Sequence, residues 1–266
     1  MTGTSGSFAD LRDRSLSGLA MAAVGIAAVW AGGLWFTLLV CALCGLMVWE
    51  LTRMLDQTAP YGKAEGAGLT AAVALLVFWL QLAGLWLLGT LALSVVLLAW
   101  RFPRDRGMAA AYLALILFAG LGLIALRDSF GWVWVLWLVL LVIGSDVAGY
   151  FAGRVLGGPK LWPRVSPKKT WSGTVAGWIL AAIIGAAFMP VLNAGSGLVL
   201  ASILVAMAGQ AGDIGESAIK RHAGVKDSSA LIPGHGGVMD RFDAMIAAAL
   251  MMLVLTEAGL IARLLN

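Results

Sequence analysis

Runs of about twenty apolar residues recur along this 266-residue chain, and they constrain its fold more than any other feature. A helix needs roughly 20 mainly apolar residues to cross the hydrocarbon core of a bilayer, which is about 30 Å thick. Hydrophobic residues make up 61% of the chain and charged residues 12%, compared with about half and about a quarter in a soluble domain. The sequence therefore predicts an all-α, polytopic bundle of transmembrane helices with little room for a separate soluble domain.

The limits of the predicted spans follow from glycine, proline and charged residues. We place nine spans, at about 15–31, 33–54, 67–82, 84–100, 108–126, 131–156, 171–192, 196–222 and 240–264. The two spans between residues 67 and 100 are short. Gly84 and Gly89 are also consistent with a bent or re-entrant segment in place of two complete spans. We divide the chain into residues 1–130, with about five helices of low sequence specificity, and residues 131–266, which carry the polar motifs and are predicted to be catalytic.

Positive charges fall on one side of this nine-span arrangement. Sixteen lie with the N-terminus and the loops after spans 2, 4, 6 and 8: Arg12, Arg14, Arg53, Lys63, Arg101, Arg104, Arg106, Arg154, Lys160, Arg164, Lys168, Lys169, Lys220, Arg221, Lys226 and Arg241. Only Arg127 and Arg263 lie on the other side. Because short cytoplasmic loops carry the excess of Lys and Arg, we expect the N-terminus and these loops to be cytoplasmic. The net charge of +4 then reflects topology and not nucleic acid binding.

Five acidic residues of predicted spans 6, 8 and 9 are candidates for function, because a charged side chain at the bilayer centre costs at least about 2.5–3.5 kcal/mol. They are Asp146, Asp213, Glu216, Asp240 and Asp243. Residues at such depth are usually paired, inward-facing or functional. The alternative to a functional site is a set of structural ion pairs with nearby Lys and Arg.

Helical spacing gathers several of these acids. Asp213, Glu216, Ser217 and Lys220 share one helix face, and Asp240 and Asp243 are three residues apart on the next span. If spans 8 and 9 are neighbours, four carboxylates converge. Oxygen ligands suit Mg²⁺, which commonly takes one or two carboxylates plus substrate phosphates, and the cluster leaves room for a second cation.

Two loops on the predicted cytoplasmic side are rich in Lys, Gly and Pro. The first, from Ser166 to Thr170, precedes span 7, and a helix N-terminus presents free N–H groups to anions such as phosphate. Ordinary anchoring by positive charge is the alternative for its lysines. The second loop contains Lys226, Asp227 and the run from His235 to Gly237. His235 is either a hydrogen-bond donor to a phosphate, a proton carrier near neutral pH or a loop residue without function.

The second loop and its flanks resemble the signature of the phosphatidate cytidylyltransferases, also called CDP-diacylglycerol synthases. The resemblance runs from Ser217 to Asp243 through Lys220-Arg221, Lys226-Asp227, Pro233-Gly234-His235-Gly236-Gly237 and Asp240-Arg241-Phe242-Asp243. It extends upstream to residues 212–216, 166–170 and 146–150, so it covers the C-terminal half, whereas the N-terminal half agrees only in being hydrophobic and helical. Ser172 stands where the family usually has an acid, and we keep it out of the predicted site.

The resemblance implies a reaction, a location and a set of roles. CTP and phosphatidic acid give CDP-diacylglycerol and pyrophosphate with Mg²⁺, for phospholipid biosynthesis in the bacterial inner (plasma) membrane. As a hypothesis, Asp213 and Asp243 hold the metal, Asp240 and Glu216 support it or bind a second cation, and Asp146 is a secondary candidate. The predicted catalytic set is Asp213, Asp240, Asp243, Lys220 and Arg221. The predicted substrate-binding set is Ser166, Lys168, Lys169, Thr170, Ser217, Lys226, Asp227, His235, Gly236, Gly237 and Arg241.

Three rival functions remain. A secondary transporter also carries acids within its helices, but it predicts an acid at the midplane and often an inverted repeat, and we find no repeat in this sequence. A CTP-dependent lipid kinase also uses CTP, but it transfers the γ-phosphoryl group to a lipid alcohol and releases CDP without pyrophosphate. An inactive paralogue is the third, with Ser172 the only residue in its favour. The glycine-rich stretch from Gly18 to Gly33 also leaves a homodimer open.

Overall fold

The structure, a computed structural model, describes residues 5–58, 60–81 and 86–261, and of residues 5–14, 81 and 86–88 it describes only the backbone. Parts of some predictions lie outside these limits. They are the side chains of Arg12 and Arg14, the end of the third span, Gly84 and the start of the fourth span, and the end of the ninth span with Arg263.

Nine helices form in the described part of the chain, and they follow the nine predicted spans. They are α1 (Ser5–Ala31), α2 (Gly33–Leu55), α3 (Lys63–Gln81), α4 (Trp86–Ala99), α5 (Arg106–Phe130), α6 (Trp132–Val155), α7 (Trp171–Leu192), α8 (Gly197–His222) and α9 (Met239–Glu257). Among the described residues, α2, α3 and α5 to α8 are long and apolar enough to cross a membrane. The prediction of an all-α, polytopic membrane protein is confirmed at this level, and the number of crossings stays a prediction.

Two glycines with positive φ angles separate consecutive helices. Gly32, with φ 66°, precedes α2, and Gly131, with φ 90°, precedes α6. Residues with a side chain rarely adopt this region, whereas glycine does so at no steric cost. A single glycine can therefore end one helix and start the next with almost no connecting loop.

The described chain divides into two compact units. One unit comprises Met1–Leu117 with Ala223–Phe242, and the other comprises Phe118–His222 with Asp243–Asn266. Both α5 and α9 contribute residues to each unit. The predicted division after residue 130 concerns where the polar motifs lie, and it stays a prediction.

In the first unit, α2 and α3 are in backbone contact through glycine. A Cβ atom added at Gly68 would lie 2.6 Å from the carbonyl oxygen of Gly45. Lys63 at the start of α3 pairs with Asp56 at the end of α2, and the hydrogen bond from Lys63 lowers the pKa of the Asp56 carboxyl. Small residues and this ion pair together fix the α2–α3 hairpin.

In the second unit, glycines bring α6, α7, α8 and the later part of α9 close together. A Cβ added at Gly173 on α7 would lie 2.4 Å from the carbonyl oxygen of Gly149 on α6. One added at Gly212 on α8 would lie 2.5 Å from the carbonyl oxygen of Asp243 on α9. Such approaches are typical of membrane helices, whose interfaces are enriched in small residues. They carry the acidic residues of three helices to short range.

One small sheet interrupts the helices, in a segment that the sequence analysis treats as a loop. Strand β1 (Lys160–Trp162) pairs antiparallel with β2 (Ser166–Thr170), with Lys160 opposite Thr170 and Trp162 opposite Ser166. The intervening Pro163 supports a tight turn. The hairpin turns the predicted phosphate-binding segment into a strand that leads directly into α7.

Candidate active site

A cluster of acidic and basic side chains lies in the second unit, between α6, β2, α8 and α9. Its centre is Asp213 on α8, whose Oδ2 atom lies 2.5 Å from Nζ of Lys169 on β2. Both side chains are about a quarter exposed. The Coulomb attraction within an ion pair is stronger when the pair is shielded in part from water, because the effective dielectric constant is lower.

Two further acids interact with this pair through their charges. Asp146 on α6 interacts with Lys169 and with Asp213, and Asp243 on α9 interacts with Asp213 and Asp146. The cation of Lys220 also acts on Asp243. The structure thus brings together three of the five acids that the sequence predicts, including Asp146, the secondary candidate.

Glu216 pairs with a lysine of its own helix. Its side chain is fully buried, and its Oε2 atom lies 2.6 Å from Nζ of Lys220, one helical turn later. Asp213, Glu216, Ser217 and Lys220 therefore lie along one face of α8, as their spacing predicts. It contains one ion pair within the helix, and Ser217 is within 3.4 Å of Asp213 on the same face.

The cluster fits a magnesium ion that is held partly by its substrate. Among the described residues no three His, Cys, Asp or Glu side chains are placed to hold a metal ion by themselves. Mg²⁺ seldom has an all-protein cage, since it usually binds one or two carboxylates together with phosphate oxygens and water. Asp213 with Asp243 or Asp146 supplies such an incomplete, oxygen-only set.

Strand β2 separates its two lysines. Successive side chains of a strand point to opposite faces, and Lys169 turns toward Asp213 while Lys168 is exposed. The sequence predicts the same role for both, but their surroundings differ. Ser166, at the start of the strand, is half-buried.

Thr170 and Ser172 form the junction between the hairpin and α7. Thr170 is the buried N-cap of α7, and its Oγ1 accepts a hydrogen bond from the backbone N–H of Gly173 at 3.2 Å. Ser172 bonds to Thr170 Oγ1 at 3.0 Å and donates to the carbonyl oxygen of Gly157. Ser172, the departure from the family pattern, thus ties the start of α7 to the segment before the hairpin.

The second predicted loop lies in the first unit and is organised by two acids. Asp240 at the start of α9 accepts a hydrogen bond from the backbone N–H of Ser228 at 2.9 Å and one from that of Gly237 at 2.8 Å. The bond to Gly237 spans three residues, the same spacing as the reciprocal bond of a capping box. Asp240, predicted to be catalytic, is thus bonded within its own loop through Oδ2.

The second organising acid is Glu50 on α2, which is not among the residues that the sequence predicts for the site. Its side chain is fully buried, and its two oxygens lie within hydrogen-bond distance of four donors in the loop and the first turn of α9. The criterion that selects Asp146 and Asp213, an acid within an apolar run, also selects Glu50 in the run Val-Trp-Glu-Leu. Its partners are 178 to 189 residues away, so the sequence offers no hint of them.

His235 at the tip of this loop contacts the first helix. Its Nδ1 atom lies 2.9 Å from Oγ of Ser17 on α1, and Ser17 also donates to the carbonyl oxygen of Pro233 at 3.2 Å. A Cβ added at Gly18 would lie 3.8 Å from Cε1 of the histidine ring, which is an ordinary van der Waals contact, so α1 packs directly against His235. His235 therefore has a structural partner that the sequence does not predict.

The remaining predicted residues are four charged side chains at the surface and two glycines packed within the loop. The exposed ones are Arg221, Lys226, Asp227 and Arg241. Gly236 has φ 83°, and a Cβ there would lie 2.8 Å from Oδ2 of Asp240. The two glycines of the motif are thus required by the packing of the loop itself.

Comparison with known proteins agrees with this combination of apolar helices, acids and basic loops. Residues 12–258, nearly the whole chain, match the cytidylyltransferase family. The chain belongs to the cytidylyltransferase family. It is therefore an enzyme of the nucleotidyltransferase class that uses CTP. The resemblance predicted from the signature residues is confirmed.

Individual relatives of this cytidylyltransferase align over most of their length. A phosphatidate cytidylyltransferase of Brucella suis is 37% identical over 248 residues, which cover 90% of this chain and 91% of the relative. A phosphatidate cytidylyltransferase of Bacillus subtilis is 30% identical over 261 residues, which cover 89% of this chain and 94% of the relative. The similarity thus extends through the N-terminal half, for which the sequence alone predicts only hydrophobic helices.

Proposed function

We propose that this cytidylyltransferase acts on phosphatidic acid and gives CDP-diacylglycerol and pyrophosphate, for phospholipid biosynthesis. The observation that carries the proposal is the Asp213–Lys169 pair beside Asp146 and Asp243, because Asp146 and Asp213 lie on helices apolar enough to cross a membrane. A lipid phosphate is confined to the headgroup region, so an acceptor of this kind needs a charged site on membrane helices. The names of the two relatives support the same substrate.

The reaction is a displacement at phosphorus. An oxygen of the phosphatidic acid phosphate attacks the α-phosphorus of CTP, a new P–O–P bond forms, and the bond from the α-phosphorus to the bridging oxygen of pyrophosphate breaks. Attacking group and leaving group are both anionic, so alignment and charge neutralisation supply most of the catalysis. The enzyme needs no covalent nucleophile for this step.

We assign the neutralising role to cations of both basic segments. Lys169 and Lys220 are already placed beside carboxylates of the cluster, and each can exchange part of that interaction for a phosphate oxygen. Arg221, Lys226 and Lys168 are exposed and suit the parts of the nucleotide that arrive from solution. His235 is a further donor toward a phosphate.

Asp213 and Asp243 are our proposed magnesium ligands, with Asp146 as the third acid of the cluster. When bound, Mg²⁺ neutralises phosphate charge and polarises the phosphorus centre. Before CTP arrives, Lys169 offsets the negative charge of Asp213, which keeps three close carboxylates together in a membrane helix bundle. Glu216, which is paired with Lys220 on the same helix, is the supporting acid of this set.

We further propose that the enzyme lies in the bacterial inner membrane with its N-terminus and both basic loops in the cytoplasm. The 16-to-2 distribution of Lys and Arg over the predicted spans supports this orientation. CTP would then reach the loops directly from the cytoplasm.

A product assay on purified protein in mixed micelles tests the proposed reaction. The protein receives CTP labelled at the α-phosphate, phosphatidic acid and Mg²⁺, with and without a chelator. We expect labelled CDP-diacylglycerol and an equal amount of pyrophosphate, both lost on chelation. Release of CDP without pyrophosphate would support a lipid kinase and contradict cytidylyl transfer.

The variant Asp213→Asn tests the carboxylate site in the same assay. It removes one proposed metal ligand and the partner of Lys169, so we expect a loss of at least about 100-fold in kcat, as for other groups that stabilise transition-state charge. Asp128→Asn on α5 is the matched control, because Asp128 is an exposed acid of the same unit that is not among the acids of the cluster. Equal activity of the two variants would remove Asp213 from the proposed site.

A further inference from the structure

Glu50 is a fully buried carboxylate of the first unit, with four hydrogen-bond donors around its two oxygens. Its Oε1 atom accepts from Ser229 Oγ at 2.6 Å and from the backbone N–H of Val238 at 2.8 Å. Its Oε2 atom accepts from the backbone N–H of Met239 at 2.7 Å and lies 3.1 Å from Ser228 Oγ, whose single hydroxyl hydrogen is shared with Asp240 Oδ2 at 3.0 Å. All four donors are neutral, and a carboxylate needs such donors when it is taken out of water.

These four bonds connect the two ends of one loop. Ser228 and Ser229 lie at its beginning, whereas Val238 and Met239 lie at its end and provide free N–H groups of the first turn of α9. A carboxylate at a helix N-terminus satisfies those groups and interacts favourably with the helix dipole. A residue on α2 thus caps α9 and closes the loop at the same time.

The loop is built around this carboxylate. A Cβ added at Gly237 would lie 2.0 Å from Ser228 Oγ and 2.4 Å from Glu50 Oε1, so the place of a side chain is already filled. Within the loop, the backbone N–H of Ile232 donates to the carbonyl oxygen of Gly236 at 2.8 Å. Glu50 is therefore bonded to both ends of the segment from Ser228 to Met239, which contains His235.

We infer that Glu50 is a positioning residue for CTP: buried in α2, its carboxylate holds the loop from Lys226 to Met239 in the shape that the nucleotide requires. This inference rests on the proposed function, in which that loop neutralises phosphates of the nucleotide. Glu50 is too deeply buried to touch substrate, so it acts through Lys226 and His235.

The variant Glu50→Gln keeps the shape of the side chain and places an amide NH2 group against two of the four donors. We expect the loop to loosen, with KM for CTP raised about tenfold and KM for phosphatidic acid changed less than twofold. A merely structural acid would alter both KM values, or the amount of folded protein, alike. Glu65→Gln is the matched control, since Glu65 also accepts from a tryptophan and a backbone N–H in the first unit.

Hydrogen–deuterium exchange of the full chain in detergent gives a second readout, which does not depend on turnover. We expect amides of residues 237–239 to exchange about tenfold faster in Glu50→Gln than in wild type or Glu65→Gln. Unchanged exchange with unchanged KM for CTP would overturn the inference. If Glu50→Gln fails to fold, Ser229→Ala decides, because it removes one donor and leaves the carboxylate: faster exchange and a smaller rise in KM for CTP support the inference, and no change overturns it.

The two readouts also separate this inference from the proposed function. A wild-type protein that forms no CDP-diacylglycerol, and whose loop gains no protection when CTP and Mg²⁺ are added, contradicts the proposed function. In that case, the difference in loop exchange between wild type and Glu50→Gln, measured without nucleotide, still tests whether Glu50 holds the loop. Product formation by wild type with normal kinetics in Glu50→Gln contradicts the inference alone.

Discussion

Lys168 and Lys169 are neighbours in the chain and have different surroundings in the structure. Lys169 forms an ion pair with Asp213, whereas Lys168 is exposed on the other side of β2. Lys169 therefore acts on the charge balance of the carboxylate cluster, and Lys168 can act only on a ligand that comes from outside.

Replacement of each lysine by methionine tests this difference. We expect Lys169→Met to lower kcat at least about tenfold more than Lys168→Met, because loss of a charged hydrogen-bond partner costs roughly 1.5–3 kcal/mol. Lys168→Met should mainly raise KM for CTP. Steady-state kinetics at saturating phosphatidic acid measure both constants, and equal losses in kcat would contradict the separation of the two lysines.

The element that sets the spacing of the acids is the contact between α8 and α9. Gly212 on α8 meets the carbonyl oxygen of Asp243 and the Cβ atom of Ala247, so any side chain at Gly212 pushes α9 away. A Cβ added at Gly215, one turn later on the same helix, would point into open space, with no neighbouring atom within 4 Å. The two glycines therefore differ in packing although they share a helix.

Gly212→Ala and Gly215→Ala form a matched pair. We expect Gly212→Ala to destabilise the protein by about 1–3 kcal/mol, as overpacking does, and to reduce Mg²⁺-dependent activity through displacement of Asp243. Gly215→Ala should leave the stability unchanged or raise it by up to about 1 kcal/mol, because alanine favours the helix. Thermal unfolding in detergent measures both, and a stable, fully active Gly212→Ala protein would show that the contact does not position Asp243.

At the scale of the whole molecule, the predicted orientation places two exposed loops on opposite sides of the membrane. Tyr61, between α2 and α3, is 94% exposed and is predicted to be cytoplasmic. Ser196, between α7 and α8, is also exposed and is predicted to lie on the opposite side. Five predicted spans separate them, which is an odd number.

Cysteine labelling tests this orientation. With the two buried native cysteines, Cys41 and Cys44, replaced by alanine, Tyr61→Cys and Ser196→Cys each supply one reactive thiol. A membrane-impermeant maleimide should label Ser196→Cys in intact cells and Tyr61→Cys only after permeabilisation. The reverse pattern would invert the orientation, and equal labelling in intact cells would contradict the odd number of crossings.

The sequence by itself determined the helices and the family. Apolar runs of about twenty residues require helices in lipid, because every backbone polar group must be satisfied internally, and the signature from Ser217 to Asp243 identified the cytidylyltransferases. Local spacing also determined the Glu216–Lys220 pair, since residues four apart on a helix are neighbours.

Only the tertiary structure decided which charges meet. The Asp213–Lys169 pair depends on how a hairpin packs on α8, and the four bonds of Glu50 join residues at least 178 positions apart. The division of labour between Asp240, which organises its loop, and Asp213, which faces other acids, arises in the same way. Such pairings follow from the packing of whole helices against one another, and no local pattern in the chain encodes them.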